Sequence, residues 1–151
     1  MLALSAILSA LHLLALAIGL PAVVLRARAL RGTLDGAGLR RLFAADTAWG
    51  IAAALWVVTG LLRAFAGFEK GTAFYLASSL FWVKMTLFVL VVALEIAPMV
   101  TLIRWRAVRG RGQMPDVSRA RTLYAITHAQ MAIAIVMVFV ASFMARGFGA
   151  R

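Results

Sequence analysis

The stretch FWVKMTLFVLVVALEIAP, residues 81–98, decides the fold. Between Lys84 and Glu95 it holds no charge and only one polar side chain, Thr86. Working outward, the apolar run extends over about residues 74–103, longer than the roughly 20 residues a helix needs to cross a bilayer. Inside lipid its backbone N–H and C=O groups have no water to bond, so the run must close its hydrogen bonds within a helix. Three further runs meet the same length criterion, at about residues 2–25, 46–65 and 123–145. The sequence therefore predicts an all-α, four-transmembrane-helix bundle, with residues 1–151 forming a single integral membrane domain.

Composition agrees. Of 151 residues, 64% are hydrophobic and 14% charged, against roughly 45–50% apolar in a soluble domain. A soluble chain of this length leaves too much surface exposed to hide that apolar fraction. This excludes a soluble enzyme, a disordered chain and a nucleic-acid-binding domain. Sixteen Lys and Arg against five Asp and Glu give a net charge of +11. In a soluble chain that balance would suggest nucleic acid. Here the arginines cluster between apolar runs, where they act as topology signals and anchors for anionic lipid head groups. There is no cysteine, which excludes disulfides, iron–sulfur clusters and thiolate sites. The first run lacks a basic leading segment, exceeds the apolar length of a signal peptide and carries His12, so it reads as a retained helix.

The links give an orientation. The first contains Arg26, Arg28, Arg31, Arg40 and Arg41; the third contains Arg104, Arg106, Arg109, Arg111, Arg119 and Arg121. The middle link has only Arg63 and Lys70 beside Glu69. The positive-inside bias places the two Arg-rich links in the cytoplasm and both termini outside, as expected of a multi-pass protein of a bacterial inner (plasma) membrane. Asp35 and Asp116 stand where helix starts need caps.

Polar side chains in lipid are costly and point inward. Helical spacing groups Ser5, Ser9, His12, Leu16 and Gly19 on helix one, and Asp46, Gly50, Ala53, Val57, Gly60 and Ala64 on helix two. The second of these stripes is small and reads as close helix contact. On helix three Lys84, Val91, Glu95 and Pro98 align; on helix four Tyr124, His128, Met131, Ile135 and Ser142 align. Depth separates two layers. His12 and Lys84 share an outer one, while Glu95, His128 and Asp46 share an inner one, roughly 16 Å deeper at 1.5 Å per residue. His12 is a candidate metal or haem-iron ligand. Lys84 is a candidate for a bound anion or for proton transfer. Glu95, His128 and Asp46 form a candidate proton path, and His128 a candidate second axial ligand, against which its depth argues. Trp49, Trp56 and Arg63 recur at seven-residue spacing, which suits packing or a cofactor wall.

Leu11-His12, Phe81-Trp82-Val83-Lys84 and the two basic links resemble the small four-helix HemJ-type protoporphyrinogen oxidases. Glu95-Ile96-Ala97-Pro98 with Ile103-Arg104-Trp105-Arg106 resembles more closely a family of bacterial predicted membrane proteins of unknown function. The stretch before Gly19, and Thr127-His128-Ala129-Gln130 on the last helix, differ from the HemJ pattern. More distantly the pattern is similar to the membrane domains of copper-resistance proteins. The HemJ resemblance implies haem b, with His12 as iron ligand and Lys84 as the essential basic residue of helix three and a catalytic residue, in oxidation of protoporphyrinogen IX. Two readings follow: a haem- or porphyrin-binding redox protein, or a small proton- or cation-coupled transporter or accessory subunit without enzymatic activity. Four short helices offer little room for a macrocycle, so a homo-oligomer is also expected.

Overall fold

The computed structural model describes residues 2–66 and 72–149. Among these the chain is all helical: α1 (Leu2–Arg31), α2 (Gly36–Phe65), α3 (Thr72–Ala77), α4 (Ser79–Gly110) and α5 (Ala120–Ala145). Four of them, α1, α2, α4 and α5, are long and apolar enough to cross a membrane. Glu69 and Lys70 lie outside the described residues.

The helices outrun the apolar segments, and this corrects the expected boundaries. The first link shrinks to residues 32–35, so Arg26, Arg28 and Arg31 belong to α1 and Arg40 and Arg41 to α2. Asp35 makes so short a link possible. It stands at the N-cap of α2 with extended backbone, and its carboxylate accepts the Gly38 N–H at 2.7 Å, satisfying one of the donors that a helix start leaves open.

The third run is not one helix but two. It breaks at Ser78, which has extended backbone (φ −83°, ψ 123°). The Ser79 N–H bonds the carbonyl of Gly149, 3.0 Å away, instead of continuing a helical ladder. Short α3 thereby folds against the start of α4, burying Tyr75 with Ala64, Phe81 and Met144.

α1 packs along α2 and against α5, and α5 packs along α4. The helices thus run in the spatial order α2, α1, α5, α4, alternating in direction. α2 and α4 meet through long side chains, as in the bonds of Asp46 to Arg106 and Trp49 to Glu95. At the end carrying the Arg-rich links, Leu30, Leu39, Leu42, Leu102, Trp105 and Leu123 form the main apolar core. Ala22, Val23 and Trp49 pack at mid-height. Large apolar residues such as Leu13, Ile51, Val89 and Phe139 are more than half exposed on the outer faces. Lipid covers such a surface at little cost, whereas water would not.

Candidate functional site

Two polar groupings lie inside the bundle, one in each half. The first surrounds Arg26. Its side chain is completely buried, a state a guanidinium tolerates only when its charge is matched; Nε alone has no partner among the described residues. Nη1 and Nη2 grip the two oxygens of Glu95 at 2.7 and 3.0 Å. Nη1 also reaches Asp46 at 3.2 Å, and Nη2 the Gln130 side-chain oxygen at 2.8 Å. Glu95 in turn accepts from Gln130 at 2.6 Å and from the Trp49 indole at 3.1 Å. Arg106 closes the series on Asp46 at 2.8 Å. The formal charges alternate, Arg106, Asp46, Arg26, Glu95, and sum to zero. All four long helices contribute.

The second grouping is a cavity of about 370 Å³ at the end carrying the chain termini, with walls from all five helices. It is mainly apolar, with Phe and Met side chains among its lining, and into it come His12, Trp56, Arg63, Tyr75, Lys84 and Ser142. His12 is held by α2. Its Nδ1 lies 2.9 Å from the Thr59 hydroxyl. That hydroxyl donates to the Leu55 carbonyl one turn back, at 2.7 Å, a common habit of helical threonine. Its lone pair is thus left to accept from Nδ1–H. These two bonds favour the tautomer that carries a proton on Nδ1. Gly60 eases the approach: a Cβ there would stand 3.2 Å from His12 Cε1, closer than most Cβ contacts. The Trp56 ring lies 5.7 Å from the imidazole, and its buried Nε1 has no hydrogen-bond partner among the described residues.

The sequence reading put His12 and Lys84 in one layer, and the structure brings both to one cavity, together with Trp56 and Arg63. Trp49, expected in the same row, belongs instead to the Arg26 grouping. Glu95 and Asp46 also meet there. The His128 ring lies against Tyr124, 4.1 Å between centroids, and its Nδ1 is 3.1 Å from the Tyr124 carbonyl. His128 does not line the cavity that holds His12.

Three participants escaped the sequence. Arg26 was read as part of a link, yet the helix-one stripe through His12 and Gly19 reaches position 26 seven residues further on, which is a legible signal. Gln130 was missed because the interior face of α5 is offset by one position from the expected stripe: Leu123, Thr127, Gln130, Ala134 and Met137 are buried, while Ile135 is 43% exposed. Thr59, one position before Gly60, had no such signal.

Among the described residues no three His, Asp or Glu side chains are grouped to hold a bare metal ion. A haem makes a smaller demand, since the macrocycle supplies four ring nitrogens and the protein need add only an axial group. The cavity offers such a group one oriented imidazole, two cationic side chains and a mainly apolar wall. The volume falls within the roughly 300–1,000 Å³ of small-molecule sites.

Comparison with known proteins is consistent with this architecture. A family model described as predicted membrane protein (DUF2214) matches residues 4–149. No curated protein and no solved structure matches the chain. With the match running through every described helix, the chain belongs to the DUF2214 family of predicted membrane proteins.

Proposed function

We propose that the protein holds haem b, or a porphyrin of the same shape, in the cavity between His12 and Lys84, in a HemJ-like redox role. One observation carries this reading. His12 and Lys84, on different helices, form walls of a single apolar cavity, and Thr59 holds the imidazole by Nδ1. His12 would hold the haem iron through its imidazole. Thr59 fixes its tautomer and ring angle, and Gly60 admits the ring. Lys84 and Arg63 offset the charge of the acid side chains of the macrocycle. The Phe and Met lining makes most of the wall apolar. The haem, when bound, supplies one-electron chemistry at a potential set by its axial ligand and burial.

The test is a reduced-minus-oxidised spectrum of the protein purified in mild detergent after expression with haem supplied. The expected result is a Soret and an α band, lost in His12→Ala and kept in His128→Ala. Folded protein without either band, or bands that survive His12→Ala unchanged, would refute the proposal. The Arg26 grouping enters this reading as the fastening that holds the four helices around the cavity.

A further inference from the structure

We infer that short α3 is the lid of the cavity, and that it opens by joining α4 in one continuous helix, which admits an apolar or amphiphilic ligand from the membrane between α2 and α4. This rests on the reading of the cavity as a ligand site and names the route into it.

α2 and α4 both supply walls of the cavity, Gly60, Leu61 and Phe65 from the one and Met85 and Phe88 from the other, yet their backbones do not pack together. α3 packs on both and bridges them. It brings Phe74 and Tyr75 to the cavity wall and leaves Ala73, Leu76 and Ala77 exposed. That outer face is apolar, so it suits lipid rather than water. Leu61 and Phe65 line the cavity and are also 45% and 47% exposed, so on this side the wall reaches the surface that lipid covers.

Nothing local prevents α3 from continuing into α4: Leu76-Ala77-Ser78-Ser79-Leu80 contains neither Gly nor Pro. In a continuous helix the Ser79 N–H would bond the Tyr75 carbonyl, and the Leu80 N–H that of Leu76. Here these groups are diverted. The Ser79 N–H goes to the Gly149 carbonyl at 3.0 Å, and the Tyr75 carbonyl accepts from Ser78 at 3.1 Å. The Leu76 carbonyl accepts from the Trp82 indole at 3.0 Å. Bend and continuous helix are thus two ways of satisfying the same backbone groups, and Gly149 and Trp82 hold the bend. Gly149 fits because it has no side chain: its φ is +78°, and a Cβ would stand 2.8 Å from Leu80 Cγ and 2.9 Å from Ser79 Oγ. Straightening draws Tyr75 away from Ala64 and Met144, with which it is buried, and uncovers the cavity.

The chain has no cysteine, so Met144→Cys, packed against Tyr75, reports the lid. The protein in liposomes is treated with pyrene maleimide, which dissolves in the bilayer, and separately with a sulfonated maleimide, which does not. Pyrene maleimide is expected to react faster. Gly149→Ala and Trp82→Phe each loosen one bond that holds the bend, and each should speed that reaction about fivefold. Ser79→Pro should slow it. Proline suits the first position of α4 after an extended residue, which Ser78 is (φ −83°, ψ 123°), but it cannot stand inside a continuous helix. Rates unchanged in both Gly149→Ala and Trp82→Phe, or Ser79→Pro reacting as fast as its parent, would overturn the lid. Faster reaction with the sulfonated maleimide would overturn entry from the membrane. The labelling uses no haem, so the expected rates in a protein that forms no Soret band would refute haem as the ligand and support the route.

Discussion

A guanidinium with no exposed surface in a membrane helix is the most demanding residue of this protein. Arg26 meets the demand with a two-pronged grip on Glu95, a bond to Asp46 and a bond to Gln130. Removing one member of such a pair leaves a buried charge with less compensation, which costs about 3–5 kcal/mol, whereas removing both sides is often close to neutral. Glu95→Leu should therefore unfold at markedly lower temperature than wild type. The double variant Arg26→Met with Glu95→Leu should recover much of the loss, because Asp46 keeps Arg106. Thermal melts followed by circular dichroism in detergent check the order; a double variant less stable than Glu95→Leu would contradict it. His12 and Lys84 were legible from the sequence because a lone polar residue in an apolar run is rare and has to face inward. Arg26 was not, because an arginine near the end of an apolar run looks the same whether it reaches out to head groups or in to a carboxylate. Only its position on the His12 stripe distinguishes the two.

At the scale of elements, the helices were visible as apolar runs, but their ends were not. α2 starts ten residues before the expected Asp46, at Gly36, because a cap and not hydrophobicity decides where a helix begins. The Asp35 carboxyl is held below its ordinary value of 3.8, chiefly by the Gly38 N–H, which outweighs an opposing desolvation, with the Ala37 N–H and the nearby Arg41 and Arg40 lowering it further. A carboxylate with a depressed folded-state value stabilises the fold above its unfolded value, and that contribution is lost as pH falls through the folded one. Asp35→Ala should lower the melting temperature at neutral pH, with Asp35→Asn intermediate, since asparagine caps well without the charge. The gap between wild type and Asp35→Ala should narrow well below pH 3.8. A gap independent of pH would show that the cap does not act through its carboxylate. The break at Ser78 had no local signal at all. Its alternative acceptor, the Gly149 carbonyl, arrives from 70 residues away, and no window of sequence contains both.

The whole molecule has two unlike ends. Arg28, Arg31, Arg40, Arg41, Arg104, Arg109, Arg111, Arg119 and Arg121 gather at one, while the cavity with His12 and Lys84 lies toward the other. Arg26 and Arg106 drop out of the charge balance, since each is matched by an acid inside the bundle. The asymmetry persists without them, because the remaining arginines sit within a turn or two of the helix ends, where the positive-inside bias is counted. We therefore expect the Arg-rich end to face the cytoplasm and the cavity to face outward, so that a ligand enters from the outer half of the membrane. The absence of cysteine makes this measurable with one substitution at a time. Gly110→Cys stands at the Arg-rich end with open space around its Cβ, and Arg146→Cys stands just beyond α5 at the other. In intact cells a membrane-impermeant maleimide should label Arg146→Cys and spare Gly110→Cys, and lysis should expose both. The opposite pattern would place the cavity on the cytoplasmic side, and the ligand would then have to come from within the cell.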